Sequence, residues 1–504
     1  MNIIRVDQNE NLQTFCLKCI ASNFDRFYSL FNFSDYEELP TTFKVLQKFY
    51  SQPLLKLMFD YMLLKNEHLK FLINRYTHEL NIGYLINCDS SAIEERLQEI
   101  GSVILTFEMT VIKKFNCDNF LRHLSKIQVL QLYDTIFSDK SMVIISKNCT
   151  ELKSLDIYNC SRVTDKGMET LCSSQPPLEY LNVEHTSVTY KGVSLVLKNI
   201  PSLTTLRFDN VPRAIFEATG LNDTSGISNS MVFNLSNLVI LNNPMRPENH
   251  LTAILNACTV SCPHIQNLFV SEIMTETQMQ LISTFQKLKI VSLQCSTIVN
   301  PPLCIDNFLQ VRGNQLTSLS LTSFSLSVKL LARCCPNLEN LSLQYPSFED
   351  VDNFDFSSNT GLSFEYLKMF NLQNVSLEMN KDQISFIISS SPNLQELHVV
   401  YCHFSDDIRD IILHYPKKLT LLNFSNTVVS AEFIEEVIKT HNNLDKVFIR
   451  NSGISSVEYD DIMDMVDEMG KEINISWADY TEAIRELFYF DDSVFNSKRY
   501  ILKL

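Results

Sequence analysis

The chain has 504 residues, 45% of them apolar, with 42 basic and 58 acidic side chains and a formal net charge of −16 at neutral pH. That apolar share excludes a disordered polymer, and the acidic balance excludes a general nucleic-acid binder, which needs a basic stripe to replace phosphate counterions. No run of about 18 apolar residues offers a membrane span, and the opening "MNIIRVDQNENLQ" lacks a basic segment ahead of an apolar core, so no secretory signal is expected there.

Residues 1–74 read as a helical module. "ENLQTFCLKCIASNFDRFYSLF" places Leu12, Cys16 and Ile20 at i, i+4 and i+8, with Phe15 and Cys19 beside them. "ELPTTFKVLQKFYSQPLLKLMFDYML" starts a second helix near Leu39 and Pro40, with Phe43, Leu46 and Phe49 at i, i+3 and i+6. Such helices cap an open repeat end, because the terminal unit of a solenoid exposes its core.

From about residue 75 to 477 the chain repeats. In "LKSLDIYNCSRVTDKGMETLC", Leu152, Leu155 and Ile157 alternate as in a strand. Cys160 follows, and Val163, Met168 and Leu171 then recur at helical spacing behind Thr164 and Asp165, which are placed to cap the helix. The same apolar pair begins at Leu80, Leu105, Leu130, Leu155, Leu181 and Leu206, steps of 25 or 26 residues. It continues at Leu241, Leu268, Val291, Leu319, Leu341, Phe370, Leu397, Leu422, Val447 and Ile473. That makes about 16 units of about 26 residues. Helices often end in "CP", "SP" or "IP", where proline stops the helix and presets the turn. One strand and one helix cannot bury their apolar faces alone, so the units must stack. Helices are wider than strands, which curves the stack into a horseshoe with parallel strands inside and helices outside. Residues 478–504, with "ADYTEAIRELFYF", read as a helical cap or tail.

Positions between and after the inward apolar pair point away from the core. They are Asp156 and Tyr158, Asn182 and Glu184, Arg207 and Asp209, Phe269, Ser292 and Gln294, Ser342 and Gln344, Asn371 and Gln373, His398, Asn423, Phe448 and Arg450. Substrate contacts are expected at Asp156, Tyr158, Glu184, Arg207, Asp209, Phe269, His398, Phe448 and Arg450. Asp156, Glu184 and Asp209 would form an exposed acidic strip, partly neutralised by Arg207 and suited to a basic protein segment. The inserts at 211–234 and 345–361 are further contact candidates.

Chemistry is not expected. The chain has no phosphate loop, dinucleotide fingerprint, nucleophile elbow or zinc-protease motif, and only ten glycines. The fourteen cysteines read as free thiols. Cys16/Cys19, Cys258/Cys262 and Cys334/Cys335 are half-sites with no second pair at zinc spacing, so neither metal nor cofactor is expected.

"LKSLDIYNCSRVTDKGMETLC" resembles the cysteine-containing leucine-rich repeat, whose consensus runs LxxLxLxxCxxVTDxGLxxL, and "LQELHVVYCHFSDD" keeps its cysteine as Cys402. The resemblance implies an α/β leucine-rich-repeat solenoid in which Cys160 packs under the strand-to-helix turn and bonds neighbouring backbone. In front of it, Leu12, Cys16 and Ile20 resemble the BC box (residues 12–20), and Leu39, Pro40, Phe43 and Leu46 the cullin box (39–49) of VHL-type and SOCS-type modules. The combination resembles the Zyg-11 group of receptors. It implies a non-enzymatic substrate receptor of a cullin–RING ubiquitin ligase, in the cytoplasm or nucleus, with elongin B/C and cullin-2 (or cullin-5) as partners. No armadillo array follows the repeats within these residues, so that group's degron recognition is not carried over. The alternative is an F-box: "LPTTFKVLQKFYSQPLLKLMF" is similar to LPxExLxxIFxxL, but Thr42 replaces the acidic residue and the chain's one tryptophan is Trp477. It implies a Skp adaptor and cullin-1. A third reading is an interaction scaffold without a ligase. All three expect a protein ligand and no nucleic acid or membrane.

Overall fold

The computed structural model describes residues 12–29, 41–110, 115–220, 231–241, 248–296, 299, 302–349, 361–377, 380–403 and 406–476. Three helices come first: α1 (Leu12–Ser22), α2 (Phe24–Tyr28) and α3 (Thr41–Asp60). Leu17, Ala21 and Phe24 face inward, and so do Phe43, Leu54, Leu55 and Met58. Leu39 and Pro40 and the tail at 478–504 lie outside the described residues.

The chain divides into two units, residues 1–234 and 235–504. In the first, six parallel strands follow chain order: Glu79–Asn81, Thr106–Thr110, Val129–Tyr133, Ser154–Asp156, Tyr180–Asn182 and Thr205–Arg207. Leu80, Phe107, Leu130, Leu155, Leu181 and Leu206 stand in line across this ladder. In the second, ten parallel strands again follow chain order, aligning Leu238, Leu268, Val291, Leu319, Leu341, Phe370, Leu397, Leu422, Val447 and Ile475. All of these aligned residues are buried. They form the core row because every second residue of a strand faces the same way.

The repeat thus lies where the spacing puts it, with three local corrections. The aligned residues are Phe107 rather than Leu105, Leu238 rather than Leu241, and Ile475 rather than Ile473. Each of these segments offers two apolar residues two or three apart, and the ladder selects the one that lines up with its neighbour. Leu241 is left 68% exposed. Among the described residues the strands form two ladders where one is expected. Among the described residues no pairing joins Thr205–Arg207 to Asn237–Ile240. A solenoid grows by nearest-neighbour strand pairing, and along the chain the helix Val211–Thr219 and residues 220–236 separate these two strands.

Within a repeat the local signals act as read. Thr164 caps the helix Asp165–Ser174 by accepting from Lys166 N at 3.3 Å, and Val163, Met168 and Leu171 are buried. Asp165, expected as a second cap, instead braces the next repeat. Its carboxylate accepts from Thr189 N at 2.7 Å and Thr189 Oγ1 at 2.8 Å. Asp139 does the same for Thr164 N (2.8 Å) and Oγ1 (2.7 Å). Gly167 and Gly192 sit where an added Cβ would meet these carboxylates at 2.7 and 2.4 Å, so the brace requires glycine. Cys160 is fully buried, and its thiol donates to Leu132 O at 2.8 Å, as the resemblance implies.

Candidate interaction surfaces

In the N-terminal module, the inward face of α1 leaves Phe15 (38% exposed), Cys16 and Cys19 outside, with Ile20 half-buried. On α3, Val45 and Phe49 are exposed. The Phe43 reading is corrected. Phe43 stacks on Phe27 at 4.4 Å and meets Phe71 edge-on at 6.3 Å, so it belongs to the module's core and is not offered to an adaptor. The core also encloses His68. Lys65 N donates to its Nδ1 (3.3 Å), so its Nε2–H donates to Asp25 Oδ1 at 2.8 Å. Burial lowers the His68 pKa, against the opposing pull of Asp25 and Glu67.

On the strand face of the first unit, Gln131, Asp156, Asn182 and Arg207 stand side by side. The expected exposed acidic strip is corrected here. Asp156 is 1% exposed and accepts from Tyr158 N (3.1 Å), Tyr180 Oη (3.1 Å) and Asn182 Nδ2 (3.2 Å). Burial raises its pKa against these donors and the nearby Arg207. Glu184 and Arg207 are both buried and pair with each other at 2.8 Å. Strands about 4.8 Å apart let side chains of adjacent repeats cover one another, so these charges are satisfied within the face. Asp209 is exposed, and Tyr158 is half-buried against His185 at 5.0 Å.

In the second unit the same row runs Ser292, Ser320, Ser342, Asn371, His398, Asn423 and Phe448. Phe269 and His398, expected as contacts, are buried, for the same reason of cover by neighbouring strands. His398 lies 3.5 Å from Glu396 and 3.4 Å from Asn423 Nδ2; burial lowers its pKa, with Glu396 opposing. Phe448 is half-buried and Arg450 exposed. Asn371 is fully buried. Its Nδ2 donates to Ser342 Oγ at 2.8 Å, while its Oδ1 has no partner.

One recurrent backbone conformation does not follow from strand alternation. The residue four beyond the aligned apolar position takes a left-handed backbone at Asp134, Asn159, His185, Glu272, Ser323, Tyr345, Asn374, Tyr401, Asn426 and Asn451. Its N–H donates to the following repeat, as in Asp134 N to Tyr158 O (3.0 Å), Tyr345 N to Gln373 O (3.1 Å) and Asn426 N to Arg450 O (2.7 Å). The signal available was the run of short polar residues at this position, interrupted by Glu272, Tyr345 and Tyr401.

Among the described residues, two groups have ligand atoms close enough for a metal ion: Asp25, Glu67 and His68, and Cys304, Asp306 and Glu349. In the first, the Lys65 ammonium already sits on Asp25. In the second, burial pushes the Cys304 thiol up to about 11, and Glu349 accepts from Ser325 Oγ at 2.7 Å.

A family comparison agrees with this architecture. A family model described as leucine-rich repeat matches residues 148–172, the repeat that holds Cys160. The fold is a leucine-rich-repeat solenoid. An Arabidopsis thaliana protein named as an F-box/LRR-repeat protein 23 is 28% identical over 127 residues, 25% of this chain. The match spans 27% of that relative's length. Among solved structures, the Rad7–Elc1 complex of yeast is similar at 12% identity and a TM-score of 0.39, over 88% of this chain and 94% of that one. The TLR13–ssRNA13 complex follows at 15% and 0.40, over 71% and 52%. The repeat protein LegL7 of Legionella pneumophila follows at 12% and 0.30, over 50% and 86%.

Proposed function

We propose that this chain is a substrate receptor of a cullin–RING ubiquitin ligase, in which the N-terminal helices hold an adaptor and the repeats hold a protein substrate. One observation carries the reading: α1 keeps Phe15, Cys16 and Cys19 outside while its other face is sealed into the module ahead of the repeats. A helix that only capped the solenoid would gain nothing from an outward aromatic and two thiols, whereas a partner helix or groove would bury them. Cys16 is the central position of the BC-box resemblance, which favours elongin B/C and cullin-2.

The test is co-purification of the full chain with recombinant elongin B/C and, separately, with a Skp adaptor. A complex with elongin B/C that is lost on combining Leu12→Ala with Cys16→Phe supports the reading. A complex with neither adaptor overturns it and leaves an interaction scaffold. The match to an F-box/LRR-repeat relative supports a second reading, an F-box receptor on cullin-1, which binding to Skp alone would select.

A further inference from the structure

The helix α3 has two faces of different character. Phe43, Gln47, Ser51, Leu54, Leu55 and Met58 are buried on one of them. At about 3.6 residues per turn, Val45, Lys48, Phe49, Pro53 and Lys56 fall on the opposite face, and all five are exposed. Phe49 is 60% exposed and Val45 45%. Residues four apart on a helix are neighbours, so these two side chains form one apolar strip instead of two scattered residues. Lys48 Nζ lies 5.1 Å from the centre of the Phe49 ring. From Val45 to Lys56 the stripe is about 16 Å long by helical rise. Of the cullin-box resemblance, Phe43 is on the buried face and Leu46 is half-buried between the two faces.

Charge is the second observation. α1 and α3 together hold Lys18, Lys44, Lys48 and Lys56 against one acid, Asp60. The whole chain holds 42 basic and 58 acidic side chains, a net −16, so these helices carry the opposite sign to the molecule. Lys48 and Lys56 meet no carboxylate among the described residues. Solubility does not call for them, because the net charge already supplies repulsion. A complementary ligand is negative and partly apolar. It is also short: charges in solution are felt over about 10 Å, so a short segment meets the stripe alone, whereas a membrane or a nucleic acid would extend over the acidic remainder.

We propose that this face of α3 docks an acidic amphipathic helix of a partner protein, whose apolar residues at i and i+4 cover Val45 and Phe49 and whose carboxylates pair with Lys48 and Lys56. The proposal rests on the N-terminal module being the docking part and names the chemistry of a partner for it, on residues other than those of α1.

The test is selection of a phage-displayed random 16-residue library on the full chain alone, with affinities of recovered peptides measured by fluorescence anisotropy. The expected peptides are acidic, carry apolar residues at i and i+4, and weaken as sodium chloride rises from about 0.05 to 0.5 M. Two variants decide the site: Val45→Ala with Phe49→Ala, and Lys48→Glu with Lys56→Glu. The positions are exposed and the new residues are good helix formers, so the unfolding temperature should hold while each variant lowers peptide affinity at least tenfold. Recovery of neutral or basic peptides, a loss in only one variant or in neither, or no enrichment would each overturn the proposal. Binding of phosphatidylserine vesicles or single-stranded oligouridine through the same four residues would overturn it too, as would self-association of the chain that both variants abolish. No adaptor is present in this assay, so its failure leaves the adaptor co-purification result standing, and failure of that co-purification leaves this one standing.

Discussion

Asp156 tests the central correction, because an exposed acid and a buried, bonded acid predict different outcomes for one substitution. Replacement by alanine removes the acceptor of Tyr158 N, Tyr180 Oη and Asn182 Nδ2. At about 1 kcal/mol net per hydrogen bond the loss is about 3 kcal/mol. Burial disfavours the ionised carboxylate, as its raised pKa records, so removing the charge returns part of this and leaves a loss of about 2 kcal/mol. Asp156→Asn keeps an acceptor for one or two of the donors and should lose about half as much. Leu155→Ala, in the fully buried core row, should lose about 2–5 kcal/mol by leaving a cavity. Urea unfolding followed by circular dichroism measures all three, and hydrogen exchange over residues 129–182 localises the effect. A result for Asp156→Ala within about 0.5 kcal/mol of the parent, the range of an ordinary surface position, would refute the reasoning.

Three further outcomes are expected. Glu184→Lys should destabilise the first unit by setting a second cation against buried Arg207, whereas Asp209→Lys should be silent; equal unfolding midpoints for the two would show that the ion pair is unimportant. A maleimide probe should label exposed Cys16 and Cys19 quickly and buried Cys149, Cys160, Cys258, Cys262 and Cys335 only on unfolding, as mass spectrometry can read. Burial lowers the pKa of His68, His398 and His441, so the unfolded chain protonates first as the pH falls. Their contribution to stability is full above about pH 6.5 and is lost as the pH drops through that value; an unfolding temperature that rises from pH 7.5 to 5.5 would contradict this.

The 25-residue period, the inward leucines, the Thr164 cap and the buried Cys160 were legible in the sequence. Each depends on residues a few positions apart on one strand or one helix, and strand alternation and helix capping are local rules. The same local rules placed Phe43 and Phe49 on one helical face, and only packing against Phe27 and Phe71 decided that Phe43 turns inward while Phe49 stays outside.

What the tertiary structure alone decided is which outward groups are free. Asp156, Glu184, Arg207 and His398 do point away from the core as the alternation requires, yet each is covered by neighbours one repeat away. Asp156 meets Asn182, Glu184 meets Arg207, and His398 meets Asn423, partners about 25 residues distant in sequence and one strand apart in space. A period says that such residues will be adjacent. It does not say whether their charges and shapes will satisfy one another, because that depends on the particular pair each repeat brings together. The same holds for Asn371, whose buried, unpaired acceptor emerges only when consecutive repeats are stacked.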